Sequence, residues 1–157
     1  MSMETTMRLT RRQALAFGAG AAVLAIAAGR TGSALASADE TAKAIDEFAG
    51  GATPQSGRIT LVAPEIAENG NTVPISVTVE SPMTDGDYVA AVLLLADGNP
   101  NPDVATLHFT PMSGSASATT RIRLAKTQNV IAIARMSDGS VFMDKKEVKV
   151  TIGGCGG

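Results

Sequence analysis

The chain has 157 residues, enough for one domain of ordinary size. Apolar residues make up 45% of it, with no Trp, one Tyr and four Phe, so a core must be built mainly from Val, Ile, Leu and Ala. A formal net charge of −2 gives no basic excess, which argues against a nucleic-acid groove or an anionic membrane surface as the binding target.

The first 36 residues have the features of a bacterial export signal. Arg8, Arg11 and Arg12 form a basic start, and residues 14–28 form an Ala/Gly-rich apolar run. That run is too short and too weakly hydrophobic for a stable membrane span. An A-x-A pattern then predicts cleavage after Ala36, with Ala38 as a second candidate.

The segment at residues 10–15, TRRQAL, is similar to a twin-arginine signal, with Ala14 in the place of the usual aromatic residue. The low hydrophobicity of the apolar run favours that route, and a Sec signal that happens to carry two arginines is the alternative. Either route predicts a periplasmic protein, in a compartment without a reducing thiol pool.

The mature chain begins with a predicted short helix over residues 37–48. Ser37 and Glu40 have capping-box spacing, and Gly50-Gly51 is a typical helix end. A loop follows to residue 57. The predicted domain organisation is thus a signal at 1–36, a helix and loop at 37–57, a β-sandwich domain at 58–152 and a tail at 153–157.

The domain at residues 58–152 is a series of short strands separated by Gly, Pro, Asn and Asp. No helical pattern lies between them, which predicts an all-β, immunoglobulin-like antiparallel sandwich of about seven strands. The predicted strands are residues 59–62, 73–80, 88–95, 104–110, 119–124, 127–135 and 141–152.

Two of these strands are apolar on both faces, at residues 89–95 and 130–134. In an immunoglobulin-like order they are neighbours in one sheet, so their outer faces together form an apolar patch that something must cover. We expect a protein partner on this patch, and the N-terminal helix is the alternative cover.

The chain ends in Gly153-Gly154-Cys155-Gly156-Gly157, which contains its only cysteine. Four glycines around one thiol predict a flexible tail, because glycine has little conformational preference. The functional interpretation is a carrier whose Cys155 holds a cargo covalently and enters narrow active sites. The alternative is a frayed terminus with an incidental cysteine.

The remaining residues offer no catalytic set. His108 is the only histidine, and without a second Cys or His beside it a metal site is not expected. There is no Ser/His/Asp arrangement and no phosphate-binding glycine loop. The sequence therefore predicts a non-enzymatic carrier without a resident cofactor or metal, in which a covalent adduct on Cys155 is the only attached group.

Several motifs together resemble one family, SoxY, the carrier subunit of bacterial Sox sulfur oxidation. The resemblance covers residues 45–157. The segments that carry it are GRITL at 57–61, APEIAENG at 63–70, GNPNP at 98–102, IRLAKTQNV at 122–130, MSDGS at 136–140 and GGCGG at 153–157.

The resemblance implies an immunoglobulin-like fold that pairs with SoxZ, a second β-sandwich subunit. It implies that a c-type haem enzyme joins thiosulfate oxidatively to Cys155 as an S-thiosulfonate. A manganese-dependent hydrolase would then release sulfate, and a molybdenum-haem enzyme, where present, would oxidise the remaining sulfane sulfur. Neither nucleic acid nor membrane is an expected partner.

Two other functions stay open from the sequence. One is a ubiquitin-like sulfur carrier whose terminal Gly156-Gly157 is activated as a thiocarboxylate, although that chemistry is cytosolic and residues 1–36 direct export. The other is a non-catalytic exported binding or adhesion module, in which residues 153–157 would be dispensable.

Overall fold

The computed structural model describes residues 32–154 of the chain. In this part the chain forms one α-helix followed by eight strands in two sheets. The elements are α1 (Gly32–Ala49), β1 (Ile59–Val62), β2 (Ile66–Asn69), β3 (Val73–Val79), β4 (Val89–Ala96), β5 (Asp103–His108), β6 (Ala116–Ile122), β7 (Gln128–Met136) and β8 (Val141–Ile152).

The two sheets form the predicted sandwich, so the all-β, immunoglobulin-like prediction is confirmed. One sheet has the order β1-β3-β6 and the other has the order β2-β8-β7-β4-β5. The first and last predicted strands match their bounds, and the other five differ from theirs by at most three residues at either end. β8 runs without interruption from Val141 to Ile152.

The structure has one strand more than the seven predicted, and this additional strand is β2. It has four residues, only Ala67 of which is buried, so its alternating pattern is too short to recognise. It pairs in parallel with β8, with Ile66 opposite Lys149 and Asn69 opposite Ile152. This pairing brings the β2–β3 loop beside the end of β8, where the tail begins.

The core between the sheets follows from simple alternation. In β3 the side chains of Val73, Ile75, Val77 and Val79 are buried, while Pro74 and Thr78 are exposed. Facing them are apolar side chains of the larger sheet, among them Val92, Leu94, Val130, Ala132 and Val148. Period-two burial of β-branched residues is typical of a strand with one wet face.

The outer face of the larger sheet is covered by α1. Strands β4 and β7 pair as predicted, and they turn Leu93, Leu95, Ile131 and Ile133 outward. These side chains pack against Ala44, Ile45 and Phe48 of the helix, and none is more than 7% exposed. The expectation of a protein partner on this patch is therefore wrong, because the chain covers the patch itself.

The helix also differs from its predicted start. It begins at Gly32, five residues before the predicted start at residue 37. Its carboxyl end is held to the sheet by Arg135, whose guanidinium lies 5.1 Å from the centre of the Phe48 ring and donates to the Phe48 carbonyl at 3.3 Å. No helix among residues 32–154 is long and apolar enough to cross a membrane.

Candidate functional site

The tail leaves the sandwich through a narrow gap between two loops. Its first residues, Gly153 and Gly154, lie between Gly70 of the β2–β3 loop and Leu124-Ala125 of the β6–β7 loop. We refer to Gly70, Leu124 and Ala125 as the tail cradle. Cys155 follows Gly154 directly in sequence, and Cys155, Gly156 and Gly157 lie outside the described residues.

Three backbone hydrogen bonds connect the end of β8, the two walls of the cradle and the tail. The Gly70 N–H donates to the Ile152 carbonyl at 2.8 Å, and the Leu124 N–H donates to the Gly70 carbonyl at 2.8 Å. The Gly154 N–H then donates to the Leu124 carbonyl at 2.9 Å. These bonds link the end of β8, both loops and the tail. Gly154 is buried between the two loops.

Lack of space explains the glycines at three of these positions. A Cβ on Gly153 would overlap the Ala125 carbonyl oxygen, and one on Gly70 would overlap the Leu124 carbonyl oxygen. A Cβ on Gly154 would come within 3.0 Å of the Gly70 oxygen. None of the three has the positive φ that favours glycine, so close approach of the backbones is the requirement here.

This geometry corrects the prediction that the tail is flexible from Gly153 onward. Gly153 is packed against Ala125, and Gly154 is buried and hydrogen-bonded. The chain is therefore held to the sandwich as far as Gly154. The sequence analysis interpreted all four glycines as a source of freedom, whereas the first two serve close packing.

Two buried amide side chains, those of Asn99 and Gln128, hold the Leu124-Ala125 wall of the cradle in place. Asn99 Nδ2 donates to the Arg123 carbonyl at 2.9 Å, and Asn99 Oδ1 accepts the Ala125 N–H at 2.9 Å. Gln128 Nε2 donates to the same Asn99 oxygen at 2.8 Å. Asn99 and Gln128 are only 3% and 5% exposed, so these bonds are shielded from water.

The side-chain oxygen of Gln128 holds the β4–β5 loop. Its Oε1 accepts the Gly98 N–H at 2.6 Å, and a Cβ on Gly98 would come within 2.8 Å of the Gln128 Cβ. Next to it, Asp97 accepts both the backbone N–H and the side-chain amide of Asn129, at 2.9 and 2.8 Å. The loop and the start of β7 are thereby held as one unit.

Thr127 completes the support by accepting the Val150 N–H at 2.9 Å, which joins the loop to β8 just before the tail. The sequence analysis used the GNPNP and TQN segments only as marks of resemblance and missed this structural role. Clustered Asn and Gln beside continuous apolar strands were the available signal, because buried amides need specific partners.

Two charged side chains lie in the β6–β7 loop, which forms one wall of the cradle. Arg123 and Lys126 in the β6–β7 loop are exposed, and within residues 32–154 neither side chain forms an ion pair or hydrogen bond. His108 is exposed at the end of β5. Among the described residues, no three His, Cys, Asp or Glu side chains come together as a metal site would require.

Both a family model and a solved structure match this chain. The family model described as sulfur oxidation protein SoxY matches residues 45–155. Among solved structures, the sulfur carrier protein SoxY from Chlorobium limicola f. thiosulfatophilum is 31% identical, with a TM-score of 0.62. The match covers 73% of this chain and 99% of that one.

More distant structures share the fold alone. A superoxide reductase (neelaredoxin) from Ignicoccus hospitalis is 22% identical, with a TM-score of 0.54, over 61% of this chain and 82% of that one. A putative superoxide reductase from Thermotoga maritima is 20% identical, with a TM-score of 0.51, over 61% of this chain and 87% of that one. Among curated protein sequences, none matches this chain.

Proposed function

This chain belongs to the SoxY family of sulfur oxidation proteins, which are sulfur carriers, and from that premise we propose that Cys155 is the covalent attachment point for thiosulfate-derived sulfur. The observation that carries the proposal is the docking of Gly154 in the tail cradle. Cys155, which carries the chain's only thiol, directly follows this docked residue in sequence.

The proposed first step joins the Cys155 thiol to the outer sulfur of thiosulfate. A new S–S bond forms, the thiol proton is released, and two electrons pass to an oxidant, for which the family resemblance implies a c-type haem enzyme. Hydrolysis of the bond to the sulfonate sulfur then consumes one water and releases sulfate. The sulfane sulfur stays on Cys155 as a persulfide.

The residues around the tail suit this chemistry. A thiolate is the reactive form of cysteine, and nearby positive charge favours it. Arg123 and Lys126 belong to the loop that holds the tail, and their side chains are exposed to solvent. Their charges would favour both the thiolate and the approach of an anion such as thiosulfate.

The carrier needs other proteins for every step. We propose a SoxZ-like second β-sandwich as its stable partner and the haem, manganese and molybdenum enzymes of the Sox system as transient ones. We also propose export by the twin-arginine signal in residues 1–36, with work in the periplasm. The chain itself holds the intermediate and contributes no catalytic residue to these steps.

The test is an intact-mass measurement of the exported protein, purified from cells given thiosulfate, beside Cys155→Ser. We expect a reducible mass increase on the wild type that is absent from the variant, together with loss of thiosulfate oxidation in the variant. Unmodified protein in both samples, with normal thiosulfate oxidation in the variant, would overturn the proposal.

The same variant separates this function from its alternatives. A terminal thiocarboxylate carrier would keep its activity in Cys155→Ser, because its chemistry needs the carboxylate of Gly157 and no thiol. A binding module without cargo would tolerate deletion of residues 153–157. Loss of activity in both variants supports the cysteine carrier.

A further inference from the structure

We propose that the tail cradle is a docking site for Gly153 and Gly154 that sets where the Cys155 sulfur is presented and limits how far it can move. The inference rests on the proposed carrier function, because it gives the tail a task. It adds a binding site within the chain, Gly70, Leu124 and Ala125, whose occupant is the glycine pair before the cysteine.

The first argument is that the cradle admits only glycine. On the tail side, a Cβ at Gly153 would overlap the Ala125 carbonyl oxygen. On the opposite side, a Cβ at Gly70 would overlap the Leu124 carbonyl oxygen and lie 2.8 Å from the Gly154 nitrogen. Two segments distant in sequence therefore both need glycine so that their backbones can meet.

The second argument is that the cradle is rigidly built. Its Leu124-Ala125 wall is held by Asn99, which binds the Arg123 carbonyl and the Ala125 N–H, and Leu124 itself is fully buried. Its other wall, Gly70, is held by the Ile152 carbonyl. Buried amide networks of this kind are costly unless fully paired, which makes them suitable for fixing a loop.

The third argument concerns reach. When Gly154 is docked, Cys155 is the first residue of the arm that follows it, so the sulfur lies next to the docked residue in sequence. A residue spans at most about 3.6 Å, so the sulfur stays within several ångströms of the cradle rim. An enzyme that acts on docked cargo must therefore contact the loops around the cradle.

The docked tail is also able to leave. Within residues 32–154, one hydrogen bond, from the Gly154 N–H to the Leu124 carbonyl, holds Gly154 in the cradle. A single backbone hydrogen bond of ordinary net strength favours docking by roughly fivefold, so a partner that binds the tail can displace it. Release would add two residues to the arm and extend its reach by up to about 7 Å.

The experiment places a methanethiosulfonate nitroxide label on Cys155 of the full processed chain and measures its mobility by electron paramagnetic resonance. It needs no sulfur substrate, so it tests the cradle independently of the carrier chemistry. We expect a restricted component in the wild type that is largely lost in Gly153→Ala. Gly156→Ala, beyond the docked residues, should keep it.

Gly153→Ala is informative because the tail follows the last strand, and an undocked tail leaves the sandwich folded. A second pair approaches the contact from the other side: Gly70→Ala should free the label as well, and Gly86→Ala should not. Gly86 is a matched control, since a Cβ there meets nothing within 4 Å and its φ is not positive.

Equal label mobility in the wild type and Gly153→Ala would overturn the docking proposal, even if both proteins carried sulfur on Cys155. A restricted component that survives in Gly70→Ala, with the variant shown to be folded by circular dichroism, would also overturn it. A Cys155 that carries no sulfur adduct would instead refute the carrier function and leave the cradle result standing.

Discussion

The outer face of the larger sheet and the tail cradle are both closed by another segment of the same chain, by different physical means. Over the sheet, α1 covers Leu93, Leu95, Ile131 and Ile133 with apolar side chains. At the cradle, bare backbones meet through glycines, and the buried side chains beneath them are amides.

The difference teaches what each closure can do. Apolar packing is strong and non-directional, so the helix seals its face without fixing any one atom. Hydrogen-bonded backbone contact is weaker but directional, so the cradle sets the position of the tail and still lets it go. The first suits a structural cover, and the second suits a site that presents a reactive group.

The largest effect should come from breaking the apolar closure. Ile133 is fully buried beneath α1, so Ile133→Ala removes packing on the helix side and leaves a cavity. We expect a loss of about 2–5 kcal/mol in the free energy of unfolding, measured by urea denaturation. Met112→Ala, at a side chain 96% exposed, should change it by less than about 0.5 kcal/mol.

A loss below about 1 kcal/mol for Ile133→Ala would contradict the closure by α1. It would mean that the helix leaves this face in solution, as the sequence-based expectation of a separate partner requires. Equal losses in the free energy of unfolding for Ile133→Ala and Met112→Ala would also contradict the closure by α1.

The sequence analysis was most successful where one residue pattern has one physical meaning. Alternation in residues 73–80 and continuous apolar runs in 89–95 and 130–134 predicted the strands, and strand count predicted the sandwich. The sequence analysis did not identify α1 as the cover of the outer face, because an apolar patch shows only that something packs there. A helix stripe of Ala44, Ile45 and Phe48 fits that patch as well as a partner would.

The candidate site was only partly predictable for a related reason. Its cysteine stood out by composition, but the docking of Gly153 and Gly154 depends on β2, a four-residue parallel strand with one buried side chain. A sequence does not show whether a glycine makes the chain flexible or lets two backbones approach closely. Only the position of Gly70 and Ala125 around the tail separates the two.

A smaller effect should follow from removing the amide that supports the cradle. Asn99→Ala leaves the Arg123 carbonyl and the Ala125 N–H without their buried partner, and Gln128 Nε2 keeps only its bond to the Lys126 carbonyl. We expect a loss of about 1–3 kcal/mol in the free energy of unfolding. Hydrogen exchange at the Leu124, Ala125 and Gly154 amides should accelerate by more than at amides of β3.

The matched control is Asn101→Ala, in the same loop. Asn101 is exposed and only its Oδ1 is used, accepting the Asp103 N–H at 3.3 Å, so the change should cost less than about 0.5 kcal/mol. If both asparagine variants lose the same stability, burial of the Asn99 network does not matter, and the contrast with the apolar closure loses its basis.

The smallest effect tests whether burial, rather than the number of hydrogen bonds, gives the cradle its strength. At the opposite end of β7, the Asp138 carboxylate accepts the Ser140 hydroxyl at 2.6 Å and the Ser140 N–H at 2.8 Å. These bonds, the hydroxyl first, hold the Asp138 pKa below its ordinary 3.8, although the group is fully exposed.

Because the folded pKa is lowered, the stability that this turn contributes is present above pH 3.8 and is lost as the pH falls through the folded pKa. An NMR titration of the Asp138 carboxyl carbon should show the pKa rising toward 3.8 in Ser140→Ala and unchanged in Ser137→Ala. We expect Ser140→Ala to shift the urea midpoint at neutral pH by far less than Asn99→Ala does, since water replaces most of an exposed hydrogen bond. A midpoint shift in Ser140→Ala as large as in Asn99→Ala would show that hydrogen bonds count equally at both ends of β7, and burial would no longer explain why the cradle is firm.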